Sequence, residues 1–305
     1  MTTASIRVPL RITLAGGGSD NPQYARRFGG FFISATIDKY LTVSLHQCRN
    51  GVCQCRNKER VDLRYSRAAG IPLNIYATAK SDVPKGSGLG ASGALMVALL
   101  KLRHPELEGE ELAGAAYNIE RYSVGNPTGI QDAWIASLGG CHAFWLGRHG
   151  QVRTEPIALP EDLAARLAMF STGRSRDAAT ILSAQSSNFV SDCDATEAMH
   201  EIVDIGIKTH LDLVGNGARG IGPLMHAHWL AKRKTGPTST DQIDTWYELA
   251  RENGAEGGKC IGAGAGGYML FVCPLDKREH LIATMSNAGL VHTPFQFVNQ
   301  GIQTC

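Results

Sequence analysis

Residues 81–100 read SDVPKGSGLGASGALMVALL: a turn, a run of residues with almost no side chain, then an apolar helical pattern. Gly86, Gly88 and Gly90 alternate with small residues directly before a helix that begins near Ala91. Two readings fit such a run. Backbone N–H groups can converge on an anion at the helix N-terminus, or the glycines form a bend that lets the helix pack tightly. The run is not a Walker A loop, because no Lys-Ser/Thr pair follows the glycines. It is also not the opening of a dinucleotide fold, because several strands precede it. Ser92 lies in the first turn and can ligate a cation that accompanies a phosphate. Lys85 either contributes charge or is solvated. The candidate phosphate-binding stretch is therefore Lys85, Gly86, Ser87, Gly88, Leu89, Gly90, Ala91 and Ser92.

Gly is abundant, at 35 of 305 residues, and clusters in three places without collagen-type repeats. The other two runs are LAGGGSD, ending the first strand pattern, and CIGAGAGG, preceding a late strand. Three such runs far apart predict one crevice lined by close backbone. Arg11 and Asp20 flank the first run, Glu120 ends the second helical pattern, and Asp132 follows GNPTGIQ. A phosphoryl transfer needs an anion cradle, a divalent cation, a group that orients the acceptor hydroxyl, and in some cases a base. The chain offers one candidate for each.

Several strands are expected before the first convincing helix: SIRVPLRITLA, one or two strands in GGFFISATIDKYLTVSLHQC, KERVDLRYS and PLNIYATAKSD. A hairpin at CHAFWLG and VRTEPIAL closes this part, and a boundary near Pro160 is expected. The second part is richer in helices, with strands at RLAMFSTG, GGYMLFVCP and HTPFQFV. The order indicates α+β rather than a doubly wound sheet, with domains over 1–160 and 161–305. A net charge of +2 argues against a dedicated nucleic-acid binder, the basic stretch from Arg49 to Arg67 being the one feature in favour. An apolar run long enough for a signal peptide or a membrane span is lacking, so a cytoplasmic protein is expected. Most of the eight cysteines are read as reduced packing residues. Cys48, Cys53 and Cys55, near His46, are compatible with a metal but read more simply as part of an exposed hairpin around Gly51.

The three runs in this order resemble the motifs of the kinase superfamily that includes galactokinase, homoserine kinase, mevalonate kinase and phosphomevalonate kinase. VPLRITLAGGGSD resembles motif one, PKGSGLGASGAL motif two and GGKCIGAGAGGYML motif three. Within the superfamily the chain is most similar to the bacterial D-glycero-D-manno-heptose 7-phosphate kinases, as PLRITLAGGGSDNPQYARRFGGFFISATIDKY, FSTGRSRDAATIL and YELARENGAEGGKCIGAGAGGYMLF illustrate. The resemblance covers nearly the whole chain. It implies transfer of the γ-phosphoryl of ATP, with Mg2+, to the anomeric hydroxyl of a heptose 7-phosphate. It also implies two lobes, the first like the ribosomal protein S5 second domain and the second ferredoxin-like, in a monomer or homodimer.

Residue roles follow from the same likeness. Asp132 matches the catalytic aspartate and Arg11 the arginine beside it. Ser92 and Glu120 match the magnesium-ligating pair. Gly17, Gly18, Ser19 and Asp20, with Gly264, Ala265 and Gly266, are the expected sugar-side residues. Thr172, Gly173, Arg174 and Arg176 lie on a strand-to-helix turn. Arginines at a helix start oppose the dipole, so either they meet the distal phosphate of the acceptor or they are solvated. Three departures bear on the acceptor, another sugar kinase or a binding-only relative being the alternatives. The crossing RAAG is expected to lack a helix that relatives carry there; Ile130 replaces a lysine; Ala265 interrupts a glycine-only run.

Overall fold

Ile6, Val8, Leu10, Ile12 and Leu14 alternate along the first strand and are all buried, which fixes one face of that strand to the core. The structure, a computed structural model, describes residues 2–47, 59–175 and 177–305. The first half runs β1 (Thr2–Ala15), α1 (Pro22–Phe28), β2 (Gly30–Gln47), α2 (Leu63–Ala68), β3 (Ile75–Ser81), α3 (Ala91–Arg103), α4 (Gly109–Asn118), a π-helical turn (Ile119–Val124), α5 (Gln131–Leu138), β4 (Cys141–Leu146) and β5 (Val152–Pro156). The second half runs α6 (Leu163–Arg166), β6 (Leu167–Ser171), α7 (Ala178–Ser191), α8 (Cys193–Gly215), α9 (Ile221–Arg233), α10 (Asp241–Glu252), β7 (Gly257–Cys260), β8 (Tyr268–Val272), α11 (Leu275–Asn287), β9 (Val291–His292) and β10 (Gln303–Thr304).

Among the described residues the strands form two sheets. The first has the order β10-β1-β2-β4-β5, with β3 also paired to β2. The long β2 serves three partners. One edge follows β1, while the other pairs with β4 over Gly30–Ala35 and with β3 over Leu41–Gln47. The second sheet has the antiparallel order β7-β8-β6-β9. The molecule is thus α+β and two-lobed. Leu10, Ile12 and Leu99 share a core with Ile221, Met225 and Leu270, so apolar packing continues from one lobe into the other. A separate cluster of Phe170, Trp229, Tyr247 and Phe271 sits under the second sheet.

One expected strand is absent and another is cut short. VDLRYSRA forms α2, because the Asp62 side chain caps it by accepting from Arg64 N at 2.9 Å. The crossing before β3 therefore does carry a short helix. HTPFQFV is a strap between the sheets: Thr293 N donates to Met169 O, whereas Gln296 N and Val298 N donate to Asp38 Oδ1 and Thr36 O. Proline at position 294 lacks an N–H, and a segment that changes sheets cannot keep one ladder. The hairpin expected around Gly51, with Cys48, Cys53 and Cys55, lies outside the described residues, as does Arg176. His46 Nε2 lies 2.9 Å from Thr78 Oγ1.

Candidate active site

α3 starts without a side-chain cap. Gly90 is its N-cap in the left-handed conformation, at φ 81°, so the first-turn N–H groups face outward unshielded. The helix also begins close against α5. A Cβ on Gly93 would sit 2.6 Å from Asp132 Cβ and 2.7 Å from Ala133 N. The missing side chain therefore lets α3 and α5 approach, which brings the glycine-rich turn and Asp132 to one place.

Arg11, near the middle of β1, completes this junction. Its Nε and Nη2 donate to Asp132 Oδ1 at 2.8 and 2.5 Å, and its Nη1 donates to Gly88 O at 2.5 Å. The Arg11 side chain is almost fully buried, while that of Asp132 keeps 20% exposure. One guanidinium thus ties the end of the glycine-rich turn to the carboxylate and leaves Asp132 Oδ2 without a bond from Arg11.

Ser92 and Glu120 meet directly. Ser92 Oγ donates to Glu120 Oε1, and Asn126 Nδ2 donates to the same oxygen at 3.0 Å. Tyr65, on α2, lies 3.2 Å from Ser92 Oγ and accepts from Asn126 Nδ2. Glu120 opens the π-helical turn and is 1% exposed. Such turns recur at functional sites. Burial pushes its carboxyl above the ordinary range, against the hydrogen bonds from Ser92 and Asn126. A neutral and an anionic oxygen placed side by side, with the anion poorly compensated, are a donor set that suits Mg2+.

A cavity of about 320 Å³ unites these parts. Gly17, Gly18, Asp20, Gly86, Ser87, Gly88, Gly90, Ala91, Ser92, Arg11 and Asp132 line it, so the first two glycine runs share one crevice as expected. Asp20 Oδ2 accepts from Gln131 N at 3.0 Å, and burial raises its pKa. The third run enters through Gly262 and Ala263. Gly264, Ala265 and Gly266 are not on the wall: Ala265 N donates to Thr238 O at 2.6 Å, and Gly266 O accepts from Cys260 Sγ at 3.1 Å.

Other expected residues also face elsewhere. Ser19 is fully buried and donates to Gly16 O and Phe31 O, both at 2.8 Å. Leu89 is core, its carbonyl accepting from Arg11 N, and Lys85 is exposed, its carbonyl accepting from Ser175 Oγ. Thr172 donates through N and Oγ1 to Gly267 O, and Gly267 N donates to Arg174 O. Residues 172–174 therefore lace the third run in place, and the Arg174 guanidinium lies 5.9 Å over the Trp246 ring, outside the cavity lining. Ile130 lines a neighbouring cavity of about 300 Å³ with Arg26, Tyr122 and Trp134.

Five residues of the site had no role in the sequence reading. Tyr65 and Asn126 are held by the fold around Ser92. His228 and Lys232, one turn apart on α9, and Lys259, on β7, line the same cavity and are almost fully buried. The one available signal was Lys259 inside GGKC, at the head of the third glycine run.

Comparisons with known proteins agree with this architecture. The model for GHMP kinases N terminal domain matches residues 59–140, and that for GHMP kinases C terminal matches residues 210–290. A D-glycero-alpha-D-manno-heptose 7-phosphate kinase from Campylobacter jejuni is 30% identical, over 100% of this chain and 99% of that protein. The solved D-glycero-D-manno-heptose 1-phosphate kinase from Bacteriodes thetaiotaomicron superimposes with a TM-score of 0.77 at 24% identity, covering 99% of this chain and 98% of that one. The galactose complex of Lactococcus lactis galactokinase gives a TM-score of 0.72 at 15% identity, covering 99% and 94%. Among the described residues no helix is long and apolar enough to cross a membrane. Both domain models match in chain order and one relative matches end to end, so the chain belongs to the GHMP kinases and is an ATP-dependent phosphotransferase.

Proposed function

We propose that this enzyme phosphorylates the anomeric hydroxyl of a sugar phosphate of the heptose 7-phosphate class, giving the 1,7-bisphosphate and ADP. The observation that carries this reading is the Arg11–Asp132 pair, set in one cavity with the uncapped start of α3. The full-length relative named for heptose 7-phosphate supports the acceptor class. The nucleotide's phosphates lie along residues 86–92, where first-turn N–H groups and the dipole favour negative charge. Asp132 accepts the acceptor's hydroxyl proton as the new O–P bond forms and the bond to the β-phosphate oxygen breaks. Arg11 holds that carboxylate in place. Gly17, Gly18 and Asp20 face the sugar, the carboxylate accepting from its hydroxyls.

Ser92 and Glu120 are the residues that would hold Mg2+; when bound, the ion neutralises charge on the β- and γ-phosphates. The division of work between residues 1–160 and 161–305, and a cytoplasmic location, belong to the same reading. A plain sugar acceptor is the second reading. It is favoured by Ile130, an apolar residue with Trp134 and Tyr122 in the cavity beside Asp20. Purified protein with Mg-ATP and a panel of sugars and sugar phosphates tests both readings. New phosphate at C1 of a heptose 7-phosphate, located by NMR, is the expected result. ATP turnover with none of the panel overturns the assignment.

A further inference from the structure

We propose that His228, Lys232 and Lys259 form a second anion subsite that receives the phosphate already carried by the acceptor, within the catalytic cavity. The inference rests on the sugar-phosphate kinase reading above. It moves recognition of the distal phosphate away from the turn that holds Arg174.

The three side chains line the same cavity as Asp132 and are 1%, 6% and 2% exposed. They come from two elements that have no part in the glycine-rich turn. His228 and Lys232 sit at i and i+4 on α9, so they share one helix face, and Lys259 is on β7. Lys259 Nζ donates to Leu14 O at 2.9 Å. Lys232 Nζ donates to Gly262 O and, at 3.4 Å, to Cys260 O. These carbonyls flank the first and third glycine runs, on the side assigned to the acceptor.

Charge and hydrogen bonding both point to a ligand. Among the described residues, Asp20 and Asp132 are the only carboxylates on the cavity wall. Asp132 already holds Arg11, and Asp20 accepts from Gln131 N. His228 is more telling. Neither ring nitrogen has a hydrogen-bond partner, although the ring is buried against the cavity. Buried polar atoms are nearly always satisfied, so an orphaned imidazole that faces a cavity marks a place where a ligand supplies the partner. Burial, then Lys259 and Lys232, hold the imidazole well below its usual pKa. Burial, then Lys232 and Arg11, do the same to Lys259. Cations that disfavour one another in a low-dielectric site are stabilised together by one doubly charged anion. A phosphomonoester has that charge, and its oxygens accept from all three groups.

The experiment uses the full chain and the substitutions Lys232→Met, Lys259→Met, His228→Gln and Arg174→Ala. KM is measured for a heptose 7-phosphate, for the same heptose without phosphate, and for ATP. Loss of one charge-assisted hydrogen bond raises KM roughly ten- to a hundredfold. This rise is expected for the sugar phosphate in both lysine variants, with far smaller changes for the plain heptose and for ATP. Equal rises for heptose and heptose 7-phosphate, or a rise confined to ATP, overturn the subsite. So does a tenfold rise in Arg174→Ala with none in the lysine variants.

A binding arm does not depend on the sugar. Inorganic phosphate is titrated into ADP-saturated wild type and His228→Gln, and the melting temperature is followed. Stabilisation of the wild type that is lost in the variant supports the subsite, even if no sugar is turned over. No stabilisation of the wild type, or an equal shift in both proteins, overturns it. Failure of the sugar panel and failure of the subsite are therefore separate results.

Discussion

The two ends of the cavity are built on opposite electrostatic plans. At the end formed by β1, α3 and α5, the charged and polar groups find partners within the protein: Arg11 with Asp132, Ser92 and Asn126 with Glu120, and Gln131 with Asp20. At the end formed by α9 and β7, two lysines donate to carbonyls and an imidazole has no hydrogen-bond partner. On the proposed function, the difference separates catalysis from recognition. A group that must act on a reacting atom is held at fixed geometry before the substrate arrives. A group that reads charge is left for the substrate to complete.

The most severe way to break the paired end is to remove the carboxylate's charge. Asp132→Asn keeps shape and is expected to lower turnover by about 10²–10⁴-fold with ATP affinity within a few-fold. Steady-state rates and nucleotide titration check both halves of that statement. Retention of more than half of the activity removes Asp132 from the chemistry. Next in size is the metal pair. Glu120→Gln removes the anionic oxygen and keeps the hydrogen-bonding shape, so the magnesium needed for half-maximal rate is expected to rise about tenfold or more. Rate against free magnesium at fixed nucleotide measures the change. Superimposable curves for both proteins would exclude Glu120 from the metal's surroundings.

A smaller effect comes from the gap between α3 and α5. Gly93→Ala places a Cβ 2.6 Å from Asp132 Cβ, where the neighbours are largely backbone and cannot swing aside. Such overpacking costs about 1–3 kcal/mol. Lower stability in urea together with a lower kcat is expected. Stability lost with kcat intact would mean that Asp132 is not positioned by this contact.

The smallest effect sharpens the end formed by α9 and β7. Lys259 has its pKa depressed by burial, so the unfolded chain binds more protons than the folded one below the lysine's ordinary value of 10.5. Wild-type stability should therefore rise as pH climbs from the depressed folded value toward that ordinary value, and fall as pH drops. Lys259→Met removes this dependence. At pH 7 the variant is expected to melt higher than wild type, with the advantage vanishing near the unfolded lysine's pKa. Its activity on a sugar phosphate falls at the same time. A melting difference that does not change with pH contradicts the buried-cation account.

Much of the paired end was legible in the sequence. Glycines before an apolar helix have few structural uses, and Arg11, Asp132, Ser92 and Glu120 stand at recognisable distances from such runs. Local rules also located α3, α4 and the β4–β5 hairpin. They failed at Leu63–Ala68, where strand-like residues follow an aspartate able to cap a helix, and over positions 293–298, where the chain passes between sheets.

The end formed by α9 and β7 lay beyond reading from the sequence. MHAHWLAKRK is an ordinary amphipathic helix by its periodicity, and its His228 and Lys232 resemble solvated residues. Lys259 looks like one charge in a short strand. Their burial depends on α9 packing over β7, a contact between segments that local sequence does not encode. The same holds for Arg174, whose position at a helix start suggests an anion until the fold sets its guanidinium against Trp246. The sequence alone pointed to the reaction's class through the likeness of its three glycine-rich runs to the kinase motifs, because backbone conformation near glycine is a local property that a short motif can carry. Tertiary structure decided where a second charge is read, because desolvation and the sum of neighbouring charges exist only once distant segments have packed.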